Sequence, residues 1–331
     1  MMKKYVLNCV VAVLAVGGTL LAQEACADAA DKSLVQVRPA DADPYATSEM
    51  LLAQARAGRR LVAVGDSGVV VLSDNDGKAY RQAKQVPSNA TLTSVVFTDA
   101  SNGWAVGHWG TILHTTDGGE TWQLQHSDPT TDRPFFSVYF SDAQHGVAAG
   151  LWSLLMRTDD GGKHWQPINV PPPPGGGHAD KNLFSLFSNQ KGVLFIAAEH
   201  GLVLRSSDGG ITWTYLDTGY KGSLWTGLAL VDGGLLVGGL RGSLYRSDDD
   251  GVTWHRVDSG THSSITSIAQ RGKHVVAACL DGVIIRSADG GKTFTASQRN
   301  DHLPLTSVAI EGDSLVALSK SGVVVDPGTV N

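Results

Sequence analysis

Short apolar runs alternate with glycine- and aspartate-rich breaks along almost the whole chain. Leu92-Thr-Ser-Val-Val-Phe97, Phe136-Ser-Val-Tyr-Phe140, Phe184-Ser-Leu-Phe187, Ile265-Thr-Ser-Ile268 and Leu305-Thr-Ser-Val308 form one set. Small apolar stretches follow them, such as Gly103-Trp-Ala-Val-Gly107, Gly146-Val-Ala-Ala-Gly150 and Leu235-Leu-Val-Gly-Gly239. A third set is β-branched or leucine-rich, as in Thr111-Ile-Leu-His114 and Val283-Ile-Ile-Arg286. Runs this short, bounded by Gly, Asp and Asn, predict strands joined by tight hairpins.

The breaks themselves repeat. Thr116-Asp-Gly-Gly-Glu-Thr-Trp122 returns as Asp160–Trp165, Asp208–Trp213, Asp249–Trp254 and Asp289–Phe294, after a weaker copy at Asn75–Tyr80. The closing aromatics are 42, 43, 48, 41 and 40 residues apart, a period that marks a repeat architecture. Each unit carries four strand signals in one order, and seven units can be counted. The last lacks a fourth strand, while Ser33-Leu-Val-Gln-Val37 stands unpaired ahead of the first. The expected fold is therefore all-β: a seven-bladed β-propeller of four-stranded blades, its last blade closed by that N-terminal strand. Residues 28–331 form one such domain. The long step holds an insertion, 171–180, whose four prolines and three glycines predict a surface loop between blades 3 and 4.

Residues 1–27 are set apart from this pattern. Lys3 and Lys4 precede an apolar stretch from Val6 to Leu21, and Ala25-Cys-Ala27 supplies small residues before a cut at Asp28. This is the pattern of a cleaved export signal, which places the mature protein in the periplasm. Cys9 and Cys26 leave with it, so Cys279 alone remains and no disulfide, within the chain or to a partner, is expected. The mature chain has 24 basic against 31 acidic residues, a balance that argues against nucleic-acid binding. A monomer is expected.

The repeated phrase matches the Asp box of bacterial neuraminidase repeats, Ser/Thr-x-Asp-x-Gly-x-Thr-Trp/Phe. Its aspartates, Asp117, Asp160, Asp208, Asp249 and Asp289, are suited to accept bonds from their own turns. Its aromatics, Trp122, Trp165, Trp213, Trp254 and Phe294, are suited to pack between sheets. Because the boxes recur around the ring, they read as structure and not as a catalytic centre, and neither metal nor cofactor is expected on them. Arg157, Arg205, Arg246 and Arg286 recur just before successive boxes and read as braces for the outer strands. The recurring hydroxyls Ser94, Ser137, Ser185, Thr226, Ser267 and Ser307 read as small residues crowded near the axis.

Enzymatic motifs are sparse. A sialidase needs a Phe-Arg-Ile-Pro-like segment and a converging arginine cluster, and the nearest match, Val37-Arg38-Pro39, lacks the leading aromatic. No Gly-x-Ser-x-Gly elbow or His-Glu-x-x-His occurs, and the eleven histidines form no metal-spaced pair. The alternative is a carbohydrate-active or glycan-binding propeller, because tryptophans at a channel mouth also stack sugars, and a carboxylate pair from separate blades, Glu199 with Asp281 for example, would favour it.

The turns between second and third strands vary where the boxes repeat, and they share a face with the connections between blades. They present His108, Trp109, Trp152, Glu199, His200, Arg241 and Asp281, with Arg133, His178 and Arg299 on connections at the same end. Exposed Trp and Arg anchor protein interfaces, so these residues are the candidate partner-binding set.

With signal, seven units and this phrase together, the chain resembles the photosystem II stability/assembly factor family. The likeness is clearest from Gly103-Trp-Ala-Val-Gly-His-Trp-Gly-Thr-Ile-Leu113 into Thr116–Trp122 and extends over the mature chain. The resemblance implies an exported, non-enzymatic seven-bladed propeller that binds a membrane protein or complex under assembly. Family members use an arginine-rich face for their partner, and no comparable arginine cluster is visible in this sequence.

Overall fold

The computed structural model describes residues 38–330. The segments expected to form an export signal, 1–27, and a closing strand, 33–37, lie outside the described residues. Within them the chain forms seven antiparallel sheets, each built in sequence order from an inner strand outwards. Blade 1 comprises Leu51–Ala57, Arg60–Gly65, Val70–Ser73 and Arg81–Gln82. The inner strands of blades 2 to 7 are Leu92–Phe97, Phe135–Phe140, Leu183–Ser188, Leu224–Ala229, Ile265–Arg271 and Leu305–Glu311. The fold is a seven-bladed propeller. Residues 171–180 form a loop between the outer strand Gln166–Pro167 of blade 3 and blade 4.

The core lies between the blades. Second strands such as Gly103–Gly107 and Leu194–Ala198 are buried on both faces, which is why they read as unbroken small or apolar runs. The Asp-box aromatics fill the gaps. Trp122 of blade 2 packs with Val62 and Leu72 of blade 1, and Trp213 of blade 4 with Val147 and Leu155 of blade 3. The Asp-box glycine allows the approach: Gly210 has φ +87°, and a Cβ on it would lie 2.7 Å from Val147 Cγ2.

The recurring inner-strand hydroxyls stitch one blade to the next, a more specific role than crowding. Ser94 Oγ accepts the Val138 amide, Ser137 Oγ the Leu186 amide and Ser267 Oγ the Val308 amide. Three of the arginines also bridge blades, and Arg286 braces its own outer strand as well through Ser297 Oγ. Arg157 donates to the Gly209 carbonyl, Arg246 to that of Gly290 and Arg286 to that of Thr329.

Blade 7 shows three strands among the described residues, the third being Gly322–Val323 with a further bridge from Ser314 to Thr329. It meets blade 1 directly. Thr306 Oγ1 donates to the Leu51 carbonyl, Val323 N–H to the Thr47 carbonyl at 3.0 Å, and Arg56 pairs with Glu311. The first described residues run along blade 1, where Ala40 N–H donates to the Val86 carbonyl and Asp43 N–H to Gln82 Oε1.

Candidate functional site: one face of the propeller

A single bond type orients the variable face. The first residue of each turn between second and third strands donates its N–H to the connection that precedes its own blade. His108 donates to the Thr91 carbonyl, Leu151 to Pro134, Glu199 to Asn182, Leu240 to Ser223 and Leu280 to Ser264. These turns therefore lie with the inter-blade connections at one end of the channel, and the Asp boxes lie at the other.

The second residue of each turn is left-handed: Trp109 φ +56°, Trp152 +51°, His200 +60°, Arg241 +57° and Asp281 +60°. Such a conformation costs a non-glycine residue about 1 kcal/mol. Here it sets the residue at the outer corner of the turn. Trp152 is 58% exposed, and His200, Arg241 and Asp281 are exposed as well. Trp109 is half-buried, its amide held by Asp132 Oδ1 at 3.0 Å.

The remaining expected residues serve the turns themselves. His108 Nδ1 lies 3.0 Å from Asp132 Oδ2, completing the clamp on Trp109. Glu199 accepts both the amide and the side-chain NH2 of Asn182, each at 3.0 Å, while Asn182 Oδ1 accepts the Trp152 amide. Asp281 accepts from Gln298 Nε2 at 2.8 Å and faces His302 Nδ1 at 3.2 Å. Glu199 and Asp281 thus belong to blades 4 and 6 and are engaged by separate local partners. Of the connection residues, Arg133 reaches the Trp152 carbonyl, Arg299 pairs with Asp301, and His178 is exposed on the insertion.

A cationic cup was not evident from sequence. Tyr220, Lys221, Arg241, Tyr245, Arg256 and His262 line a cavity of about 580 Å³ on this face, and no carboxylate lines it. The Tyr220 hydroxyl donates to the Leu240 carbonyl and its ring lies 5.7 Å from that of Tyr245. Glycine at 242 is required here, since a Cβ would lie 2.1 Å from the Thr261 carbonyl oxygen at φ +68°. Lys221 has only a loose 3.9 Å contact with Asp217, and the side chains of Arg241, Arg256 and His262 have no partner among the described residues. Its members come from a turn, two connections, a third strand and an outer-strand end. Sorting polar residues by the end of the blade they occupy is the signal that would have found them.

The opposite face is chemically closed. In blade 4, Ser206 Oγ donates to Asp208 Oδ1, which also accepts the Thr212 amide, while the Thr212 hydroxyl donates to Oδ2 at 2.6 Å. Burial pushes the Asp208 carboxyl upwards, but the bonds from Thr212 and Ser206 prevail and hold it at about 2. Asp160 is held at about 2 by the amide and ring of His164, and Asp289 lies lower still through Thr293. Every bond is local to its turn. Among the described residues, no group of three or more His, Cys, Asp or Glu side chains is placed to hold a metal.

A family model described as photosynthesis system II assembly factor YCF48 matches residues 82–169 and 128–273, overlapping stretches that together cover more than half the chain. The chain belongs to this family. A curated YCF48 relative, photosystem II assembly protein Ycf48 of Thermosynechococcus vestitus, is 42% identical over 52 residues. That stretch is 14% of this chain and 15% of the relative's length. Among solved structures, YCF48 bound to D1 peptide superposes with a TM-score of 0.68 at 21% identity, covering 87% of this chain and 98% of that one. YCF48 from Cyanidioschyzon merolae gives 0.66 at 17% identity, covering 87% and 97%. At these identities the YCF48 structures share the propeller fold with this chain.

Proposed function

We propose that this protein is an exported, non-enzymatic assembly factor that binds a membrane protein or its complex through the face carrying Trp152 and the cationic cup. The observation that carries the reading is the pair of guanidinium groups, Arg241 and Arg256, whose side chains have no partner among the described residues on a chain of net charge −6. A guanidinium group binds a carboxylate through two parallel N–H···O bonds. An acidic partner segment is therefore the matching chemistry. Family membership supports an assembly role, and a YCF48 structure with a D1 peptide supports a photosystem II subunit as the class of partner. The periplasmic location and the monomeric state are part of this proposal. The first is checked by fractionation, where full-length chain retained in the cytoplasm would reject it. Sedimentation of the purified protein checks the second.

The experiment is affinity capture from native envelopes with three proteins: wild type, Trp152→Ala/Arg241→Glu/Arg256→Glu, and Ile211→Asp/Val252→Asp on the Asp-box face. The reading expects one membrane protein to be recovered with the wild type and the Asp-box variant and lost with the first variant. Equal recovery with all three would reject the face.

A further inference from the structure

All seven inner strands bulge at their second residue: Leu52, Thr93, Phe136, Phe184, Trp225, Thr266 and Thr306 are skipped in the ladder. A bulge frees a residue from the pleat and re-aims its side chain. In blades 2, 6 and 7 that residue is threonine, and its hydroxyl donates to the carbonyl that opens the next inner strand: Thr93 to Phe135, Thr266 to Leu305, Thr306 to Leu51. In blades 3, 4 and 5 it is Phe136, Phe184 or Trp225, whose rings make no such bond. These three are half-exposed and line the axial channel of about 380 Å³, where the rings of Phe136 and Phe184 stack 5.6 Å apart. Three neighbouring blades thus present an aromatic ring to the channel at the level where three others present a threonine hydroxyl tied to the next blade.

The half-ring lies next to the elements of the binding face. Ser223, two residues before Trp225, accepts the Leu240 amide of the turn that carries Arg241. Asn182, two residues before Phe184, holds the Trp152 amide. We propose that Phe136, Phe184 and Trp225 form a receptor for one apolar side chain of an acidic partner segment whose carboxylates engage Arg241 and Arg256. This rests on the face assigned above and adds an anchor to it. Charge complementarity selects the occupant: a cavity with unpaired cations and no carboxylate gains from an acidic peptide, whereas a neutral sugar stacked on the rings would leave those cations unused. Aromatic side chains are enriched among the residues that carry most of the energy of protein interfaces.

The test replaces each aromatic by the residue that blades 2, 6 and 7 already use, in Phe136→Thr/Phe184→Thr/Trp225→Thr. The new hydroxyls can make the bond that Thr93 makes, so the ring is expected to fold, which a thermal melt verifies. Two fluorescein-labelled peptides of Glu, Asp, Ser and Gly are titrated by anisotropy, one with a central Phe and its twin with Ala. The proposal expects wild type to bind the Phe peptide about tenfold tighter than the twin, the value of burying an aromatic side chain. It expects the threonine variant to bind both peptides at the level of the twin, and Arg241→Glu/Arg256→Glu to lose both. Equal, salt-sensitive binding of both peptides by wild type would overturn the receptor and leave the cationic face standing. Absence of binding, or binding unchanged in the arginine variant, would overturn the receptor and the face together. Tryptophan quenching by a neutral oligosaccharide, lost in the threonine variant, would overturn the peptide occupant in favour of a glycan.

Discussion

The guanidinium of Arg246, on the third strand of blade 5, donates from Nη1 to the Gly290 carbonyl in the Asp-box turn of blade 6, 2.8 Å away and out of water. The same group pairs with Asp232 at 2.8 Å and Asp248 at 2.6 Å, and its side chain is 4% exposed. One buried cation therefore links the hairpin, the third strand and the next blade. Arg246→Ala removes a charge-assisted bond and strands the Gly290 carbonyl, at a cost of about 2–3 kcal/mol. Chemical denaturation measures it. Arg246→Lys should recover only part of the loss, because a single ammonium cannot serve three acceptors spread around a planar fork.

The Asp boxes set the acid limit of stability. Asp160 and Asp208 titrate at about 2 in the folded protein, below the ordinary value of about 3.9 for an unfolded aspartate. The unfolded chain then binds protons more readily, so the stabilisation is complete above the unfolded value and is lost as pH falls from about 4 towards 2. The denaturant midpoint should be level near pH 6 and drop steeply below pH 4. Asp208→Asn should blunt that drop. Blade 1 already uses Asn75 here, its Oδ1 accepting from Ser73 Oγ and the Ala79 amide at 2.9 Å.

The first of these interactions shows what could be read from the chain and what could not. The Asp-box phrase, its spacing and its aromatics specify blades because each box is satisfied within seven residues and needs nothing remote. The arginines Arg157, Arg246 and Arg286 are just as periodic, yet each has an acceptor 43 to 52 residues on, in another blade. The hydroxyl at Ser94 has the same character: its small size is visible in the sequence, and its partner, the Val138 amide, is not.

The variable face divides along the same line. Trp152, His200, Arg241 and Asp281 were legible because a two-residue hairpin turn must expose its corner. Glu199 and His108 looked equivalent, but the first position of the turn faces the connection, where Asn182 and Asp132 take them up. Arg256 and His262 join Arg241 only once the turn and the outer strand of blade 5 and the connection that follows them are folded together.

Trp152 separates stability from binding. At φ +51° it occupies a conformation that glycine adopts without strain, and more than half of its surface is already in water. Trp152→Gly should keep the folding free energy within about 1 kcal/mol of wild type, since relief of strain offsets lost contacts. It should nevertheless weaken partner capture. A large loss of stability would show that the indole supports the blade.

Cys279 should be silent in the native state. Burial between blades 5 and 6 pushes its thiol up to about 12, so almost no thiolate exists near neutral pH. The chain beginning at Asp28 should show no reaction with a thiol reagent at pH 8 until denaturant is added, and then one thiol per molecule. Rapid labelling of the folded protein would contradict the assigned burial.

The most direct test of the central claim is a photo-crosslinking amino acid placed at position 152 in one protein and at position 252 in another. Both sites are exposed, 58% at Trp152 and 75% at Val252, on opposite faces of the propeller. With each variant expressed in the native host, the account predicts that irradiation yields an adduct with a membrane protein from position 152 and none from position 252. An adduct from position 252 alone would contradict it and move the working surface to the Asp-box side.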